Sequence, residues 1–344
     1  TYAIPNNHPV GEYEYLLVNK ELVEQYDYDI DDLNTLIKCE GFIDDIGYQN
    51  LDGVVPLLDW YDASGMMYWS IDGNWSLLGS QITSTMNYNV KCAPKSLIST
   101  PVYTNTLLMM KRLNEKGYIG DGTLKDGEKF AVGIVKGDGS VAAQYEDEYY
   151  VQIYTKPMAD ANDMFGNMFA VSTYSKSLTR SMEIITYLNT ETSLRTVLQY
   201  GAEGVHWQID PENEDTIIRL SDDYQMDINA TGNVYMTYPE PGKTLDDWAT
   251  GKQQNLDSMV TPYLTFEGYI TDDNKALMED LAKLSKEYKD KIDSMTAAEL
   301  EENLSQMKKD LKNDTTMTAV LDVKDESKGP VKVYNDYFAS AYPS

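Results

Sequence analysis

Histidine and cysteine are nearly missing from this sequence: two of each in 344 residues, at His8, His206, Cys39 and Cys92. Zinc centres and Cys–His or Ser–His catalytic pairs are built from those residues, so the scarcity argues against both. Cys39 and Cys92 do not form a CxxC pair; they stand either as a disulfide or as two buried thiols, and their spacing does not choose. Basic side chains are also short, 28 against 56 acidic ones, for a net charge of −28. Such a chain repels phosphate backbones and anionic lipid, and no basic stripe along the sequence offsets this, which excludes nucleic acid as a partner. No window approaches the roughly 18 unbroken apolar residues that a membrane helix requires. A charged n-region and an apolar h-region are absent after Thr1, and the opening Thr1-Tyr-Ala-Ile-Pro reads like the interior of a domain. The expectation is a longer chain, with any secretion signal or lipid attachment site upstream.

What is present suits a globular protein. Hydrophobic residues make up 42% and aromatic residues 11%, too many for a disordered chain, and the length suggests about two domains. Tyr15-Leu-Leu-Val reads as a buried strand and residues 19–25 as the helix after it. Residues 51–90 have no helical period and read as loops and short strands. Residues 105–116 fit a helix that stops at Gly117. Strands follow at 130–135, 149–154 and 168–172, then a helix over 177–188 with Met182, Ile185 and Leu188 inward. Thr192 is placed to cap the next helix, whose apolar residues are Leu194, Val197 and Leu198. Lys136-Gly-Asp-Gly reads as an edge loop or a hairpin turn, the turn being the simpler of the two. In the last third, Leu277, Leu281, Leu284, Tyr288 and Ile292 form one stripe. Thr296 and Glu299 make a capping box before Leu300, Leu304, Met307 and Leu311. Strand–helix alternation followed by helices predicts an α/β protein with helical decoration.

Five stretches, in order, resemble the large extracellular solute-binding proteins of bacterial ABC importers, closest to the lipoproteins that serve oligosaccharide uptake in Gram-positive bacteria. They are Tyr2-Ala-Ile-Pro with Tyr15-Leu-Leu-Val-Asn-Lys; Asp32-Leu-Asn-Thr-Leu; Gly166-Asn-Met-Phe-Ala-Val-Ser-Thr-Tyr-Ser-Lys-Ser; Tyr200-Gly-Ala-Glu-Gly-Val-His-Trp; and Trp248 through Asn255 to Thr261-Pro-Tyr-Leu-Thr-Phe. The resemblance implies a type II periplasmic-binding-protein-like fold, two α/β lobes hinged about a ligand cleft. It implies residues 1–160 as the first part of the C-terminal lobe, 165–255 as a returning N-terminal-lobe segment, and 256–344 as helices packing on the C-terminal lobe. The first part of the N-terminal lobe has no counterpart in the sequence. Relatives carry a calcium loop where this chain has Gly41 to Pro56. Asp44, Asp45 and Asp52 lack its alternating donor pattern, so no structural calcium is expected there.

A neutral sugar offers apolar C–H faces and a ring of hydroxyls, which call for flat aromatics and polar acceptors. With 5 Trp and 27 Tyr against 6 Phe, the chain favours rings that carry a polar handle. The densest cluster runs from Asp59 to Ser70 and offers Trp60, Tyr61 and Trp69 beside Asp59 and Asp62, with Trp75 just beyond; its plain alternative is a small subcore. Glu203 and Trp207 stand in the Gly-Ala-Glu-Gly-Val-His-Trp turn, as hydroxyl acceptor and stacking ring or as groups that hold the turn together. Tyr263, with Phe266, precedes the final helices, where packing competes with ligand contact.

The expected function is therefore capture of an oligosaccharide by a monomeric, lipid-anchored extracellular protein and its delivery to ABC permease subunits. No catalysis, metal or cofactor is expected. The competing readings are a glycosidase using paired carboxylates, for which no motif singles out a pair, and a surface sensing or adhesion module on the same fold.

Overall fold

The computed structural model describes residues 3–66, 76–79, 95–159, 166–224, 226–260 and 270–341. Strands β1 (Ile4–Pro5) and β2 (Tyr13–Asn19) lead to helices α1 (Lys20–Gln25) and α2 (Glu40–Gln49), then to β3 (Val54–Leu57), β4 (Leu78–Gly79) and β5 (Lys95–Ser96). Helix α3 (Pro101–Glu115), β6 (Lys129–Gly137), α4 (Gly139–Tyr145), β7 (Tyr149–Thr155), β8 (Met158–Ala159) and β9 (Met168–Phe169) come next. They are followed by α5 (Leu178–Thr190), α6 (Thr192–Tyr200), β10 (Trp207–Asp210), β11 (Asn213–Arg219), α7 (Leu245–Asp257) and β12 (Met259–Val260). The last helices are α8 (Lys275–Ser294), α9 (Ala297–Asn313), α10 (Thr315–Val320) and α11 (Pro330–Ala341).

The chain forms two compact units, Thr1–Glu14 with Lys136–Gln144 and Thr155–Val260, and Tyr15–Val135 with Tyr145–Tyr154 and Thr261–Ser344. The sequence reading kept residues 1–160 in one block; here the first fourteen residues and 136–144 group with the stretch after 155.

The larger unit is built on a four-stranded sheet of order β3-β6-β2-β7, with β3 parallel to β6 and Leu57 opposite Val132. Strand β2 is buried over nearly its whole length, as expected for an inner strand whose side chains meet packing on both faces. The Asn19 side chain then accepts the Leu22 N–H at 3.1 Å, turning the chain directly into α1. One core joins Leu16, Val18, Phe42, Ile43 and Ile46 to Met109, Leu113 and Val132. Helix α3 starts at Pro101, four residues before the expected start, because proline suits the first helical position. It ends at Gly117, whose φ of +74° suits glycine. Asp44 and Asp45 lie on α2, where Lys116 bonds Asp44 and the Tyr28 hydroxyl donates to Asp45 at 2.6 Å. That contact and burial hold the Tyr28 phenol up at about 12, with burial the larger cause. Cys39 is a buried free thiol whose pKa burial pushes up to about 12; Cys92 lies outside the described residues.

The helical third behaves much as its periodicity predicts. Leu281, Tyr288 and Ile292 of α8, with Leu300, Leu304, Met307 and Leu311 of α9, pack with Leu77, Leu97 and Ile98 in a second core. Leu277 and Leu284 flank that core half-buried, while Met278 and Ser285 take the inner positions. Ser285 is tolerated inside because its hydroxyl accepts the Leu77 N–H at 3.2 Å. The Thr296–Glu299 capping box is formed in both directions.

The smaller unit is put together differently. Its strand pairs are short: β1 with β9, β10 with β11, and β12 parallel to β8. The strand expected over 168–172 reduces to Met168–Phe169. Lys136-Gly-Asp-Gly is not a hairpin: Asp138 accepts the Val141 N–H through its side chain at 3.3 Å, and the chain winds into α4. Ser177 caps α5, and Ile185 and Leu188 are buried, but Met182 is 39% exposed. In α6, Thr192 is the first helical residue and Glu191 takes the cap position, without a side-chain bond.

The inward face of α6 is also the reverse of the expected one. Arg195, Thr196, Gln199 and Tyr200 are buried, while Val197 is half exposed. Most of these polar groups are paired; the Arg195 Nε is the buried atom of this face left without a partner among the described residues. Arg195 donates to Gln199 Oε1 at 3.0 Å and to the Ile228 carbonyl at 2.6 Å. Gln199 donates to the Met226 carbonyl at 2.8 Å, and the Tyr200 hydroxyl donates to Tyr238 O at 2.8 Å. The polar face goes in because the segment beside it offers carbonyls that need donors.

Candidate functional site

The first candidate group follows β3 in the larger unit. Backbone bonds continue past the strand end, Leu58 N–H to Val132 O at 2.9 Å and Gly122 N–H to Leu58 O at 3.0 Å, and hold the next residues in place. Asp59 Oδ1 accepts the Trp60 N–H at 2.6 Å, and a side chain at Gly122 would press on the Asp59 carboxylate. The Trp60 ring is 40% exposed. Tyr61 turns inward, half-buried, with its ring edge-on to Tyr154 at 5.7 Å. Asp62 accepts the Ser64 N–H at 2.8 Å. A part-open Trp60, flanked in sequence by Asp59 and Asp62, thus follows the carboxyl end of a parallel strand pair, where α/β sheets place their ligand sites. Each carboxylate has about four lone-pair directions and uses few of them here, so both can accept from hydroxyls.

The second group lies in the smaller unit, on the turn after α6. Gly201 and Gly204 have φ of +83° and +74°, and a Cβ at Gly201 would strike the His206 ring. His206 Nδ1 accepts the Ala202 N–H at 2.9 Å, and the Gly204 N–H reaches Trp207 O at 2.7 Å. Trp207 is 5% exposed, packs with Tyr200 and Ile217, and donates its indole N–H to Gly201 O at 2.9 Å. Its ring therefore supports the turn from below instead of presenting a stacking face. Burial, more than the Glu240 carboxylate, drives the Tyr200 phenol well above its ordinary pKa. Glu203 stands exposed at the top of the turn.

Trp69 and Tyr263, with Trp75 and Phe266, lie outside the described residues. One ring was passed over in the sequence. Tyr174 is 93% exposed on a loop knitted by serines, with the Tyr174 N–H to Ser172 Oγ at 3.2 Å and Ser175 Oγ against Ser181 Oγ at 3.0 Å. The signal was a single ring inside a run of Ser, Thr and Lys. Among the described residues, no group of three or more His, Cys, Asp or Glu is placed to hold a metal.

No protein-family model matches the chain. The crystal structure of the N-glycan transport solute binding protein NgtS from Streptococcus pneumoniae aligns with 98% of this chain and 75% of its own, at a TM-score of 0.64 and 18% identity. The same protein in complex with Man5GlcNAc aligns with all of this chain and 76% of its own, at a TM-score of 0.56 and 18% identity. The fold is that of the type II periplasmic-binding-protein-like solute-binding proteins. A carbohydrate ABC transporter substrate-binding protein of Streptococcus pneumoniae serotype 4 is 28% identical over 132 residues, which is 37% of this chain and 26% of that protein. The similarity to that substrate-binding protein covers this one stretch, which spans about a quarter of the relative's length.

Proposed function

We propose that this protein is the extracellular solute-binding component of an ABC importer, which captures a neutral oligosaccharide and passes it to the permease subunits. The observation that carries this reading is the likeness of nearly the whole chain to NgtS, named for N-glycan transport and solved with Man5GlcNAc. Trp60 supplies the apolar face for a sugar ring, with Tyr61 behind it and Asp59 and Asp62 as hydroxyl acceptors. In the smaller unit, Glu203 serves as a hydroxyl acceptor on the turn that Trp207 supports; Trp69 and Tyr263 are further candidate sugar contacts. The protein works as a monomer, held at the cell surface by a lipid anchor.

Binding needs no catalytic group, and the protein performs no hydrolysis. A glycosidase requires a carboxylic acid kept protonated by its surroundings. Among the described residues, hydrogen bonds hold Asp121, Asp257 and Glu299 below the ordinary carboxylate range.

The test is a thermal-shift screen against neutral oligosaccharides, acidic oligosaccharides and peptides. A ligand at about 100 times its dissociation constant stabilises the fold by roughly 2.7 kcal/mol. Stabilisation by neutral oligosaccharides without released product is the expected result. Stabilisation by peptides alone would remove sugar transport, and product formation would make the protein an enzyme.

A further inference from the structure

In the larger unit, β5, the C-terminal end of α9 and helix α10 surround an open pocket of about 520 Å³. That volume lies within the roughly 300–1,000 Å³ of small-molecule sites. Four of its lining residues are Lys95, Lys308, Lys309 and Lys312, and its apolar wall is Leu311, Met317 and Leu321. The sequence has no basic stripe because Lys95 is far from the other three; only the fold brings the four together.

Charge and pairing set this pocket apart. The protein carries a net charge of −28, so its overall field repels anions. On α8, Lys283, Lys286 and Lys289 have Asp280, Asp290 and Asp293 beside them. The four pocket lysines make no ion pair among the described residues. Nearby acids are turned to other tasks, with Asp310 accepting from Gln306 at 2.6 Å and Asp314 capping α10 through the Met317 N–H at 2.9 Å. Ser96, also lining the pocket, has a buried hydroxyl oxygen with no hydrogen-bond partner. A buried polar atom left unpaired is costly, and a ligand oxygen would relieve it. Lys312 in the last turn of α9 does complement the helix dipole, but that role does not account for Lys95 on a separate strand.

We propose that this pocket binds a phosphate ester, with the ammonium groups around the phosphate and the carbon portion against Leu311, Met317 and Leu321. Ammonium groups bind phosphate as point charges, so binding weakens as salt rises. The same chemistry is offered by a free phosphate ester and by a phospholipid headgroup. The site is independent of sugar capture, sharing no residue with the candidate sugar contacts.

Isothermal titration of the whole chain with glycerol phosphate, and co-flotation with phosphatidylglycerol or phosphatidylcholine vesicles, test this. The expected result is single-site, salt-sensitive binding of glycerol phosphate that weakens about tenfold or more in K308Q/K312Q, equivalent to at least about 1.4 kcal/mol. K286Q, on a paired lysine, should bind as the parent does, and the melting temperatures of both variants verify their folding. If glycerol phosphate gives no heat but phosphatidylglycerol vesicles capture the parent and not K308Q/K312Q, the pocket takes a lipid headgroup and the proposal stands. It is overturned if neither probe binds above the phosphatidylcholine control, if K308Q/K312Q binds as tightly as the parent, or if K286Q loses as much.

Discussion

The two units solve the problem of burial in opposite ways. In the larger, two extensive apolar cores lie under a four-stranded sheet and a set of amphipathic helices. Among the described residues of the smaller, Tyr200, Trp207 and Ile217 form an apolar cluster with Tyr238 beside it, Ile185, Leu188 and Val234 are also buried, and specific hydrogen bonds to loop carbonyls carry much of the order. The smaller unit also leaves Leu178, Ile184 and Tyr187 of α5 in solvent. Apolar burial is non-directional and forgives local error, whereas a polar interior depends on each donor meeting its acceptor. The larger unit should therefore resist chemical denaturant as a block, and the smaller should fail residue by residue.

The comparison breaks most visibly in the larger unit's cores. Leu281→Ala, at a fully buried position, should cost about 2–5 kcal/mol in urea unfolding; a loss below about 1 kcal/mol would show that the core is loose. Next comes Trp60→Ala, which should weaken oligosaccharide binding by about tenfold, near 1.4 kcal/mol, with little change in unfolding midpoint. Unchanged affinity would remove Trp60 from the site. The capping boxes allow a like-for-like comparison, since Thr244 closes one in the smaller unit and Thr296 one in the larger. Alanine at either should cost about 1 kcal/mol. If the smaller unit opens first, Thr244→Ala will change its hydrogen exchange more than Thr296→Ala changes the global midpoint. A pH series adds a fourth test. The Glu299 carboxyl is held low by the Thr296 N–H and hydroxyl, so its contribution is present above the ordinary glutamate range and lost as pH falls through the lowered value. Urea midpoints of the parent and Glu299→Gln should converge in acid and separate at neutral pH. The smallest effect belongs to Met182→Lys, expected within about 0.5 kcal/mol because Met182 is already part-exposed in this chain. A larger loss would mean that α5 is covered.

Legibility in the sequence followed the same divide. The α8 and α9 stripes could be read because burial there is apolar and repeats with the helix, with Leu300 to Leu311 all inward. Periodicity missed that Met278 and Ser285, not Leu277 and Leu284, take the inner positions, Ser285 being admitted by its bond to Leu77. It failed at α6, where Leu194, Val197 and Leu198 look like a core face. The fold turns Arg195 and Gln199 inward because of carbonyls at 226 and 228, some thirty residues on, which no local pattern reveals. Among the candidate site residues, Trp60 and Trp207 are equal as letters. Only the fold separates an indole left 40% exposed after β3 from one closed beneath its own turn. Tyr174 escaped notice because a polar loop gives no periodicity to interrupt.

The Arg195 contacts have a consequence for which positions can vary. Its partner at 228 is a main-chain oxygen, and so is the partner of Gln199 at 226. Nearly any side chain at 226 or 228 leaves those acceptors where they are. Arg195 has no such substitute, since lysine lacks the second arm that holds Gln199 while the first holds the loop. Random mutagenesis under selection for folding should accordingly yield many replacements at Met226 and Ile228 and almost none at Arg195, so that one side of the contact drifts while the other stays fixed.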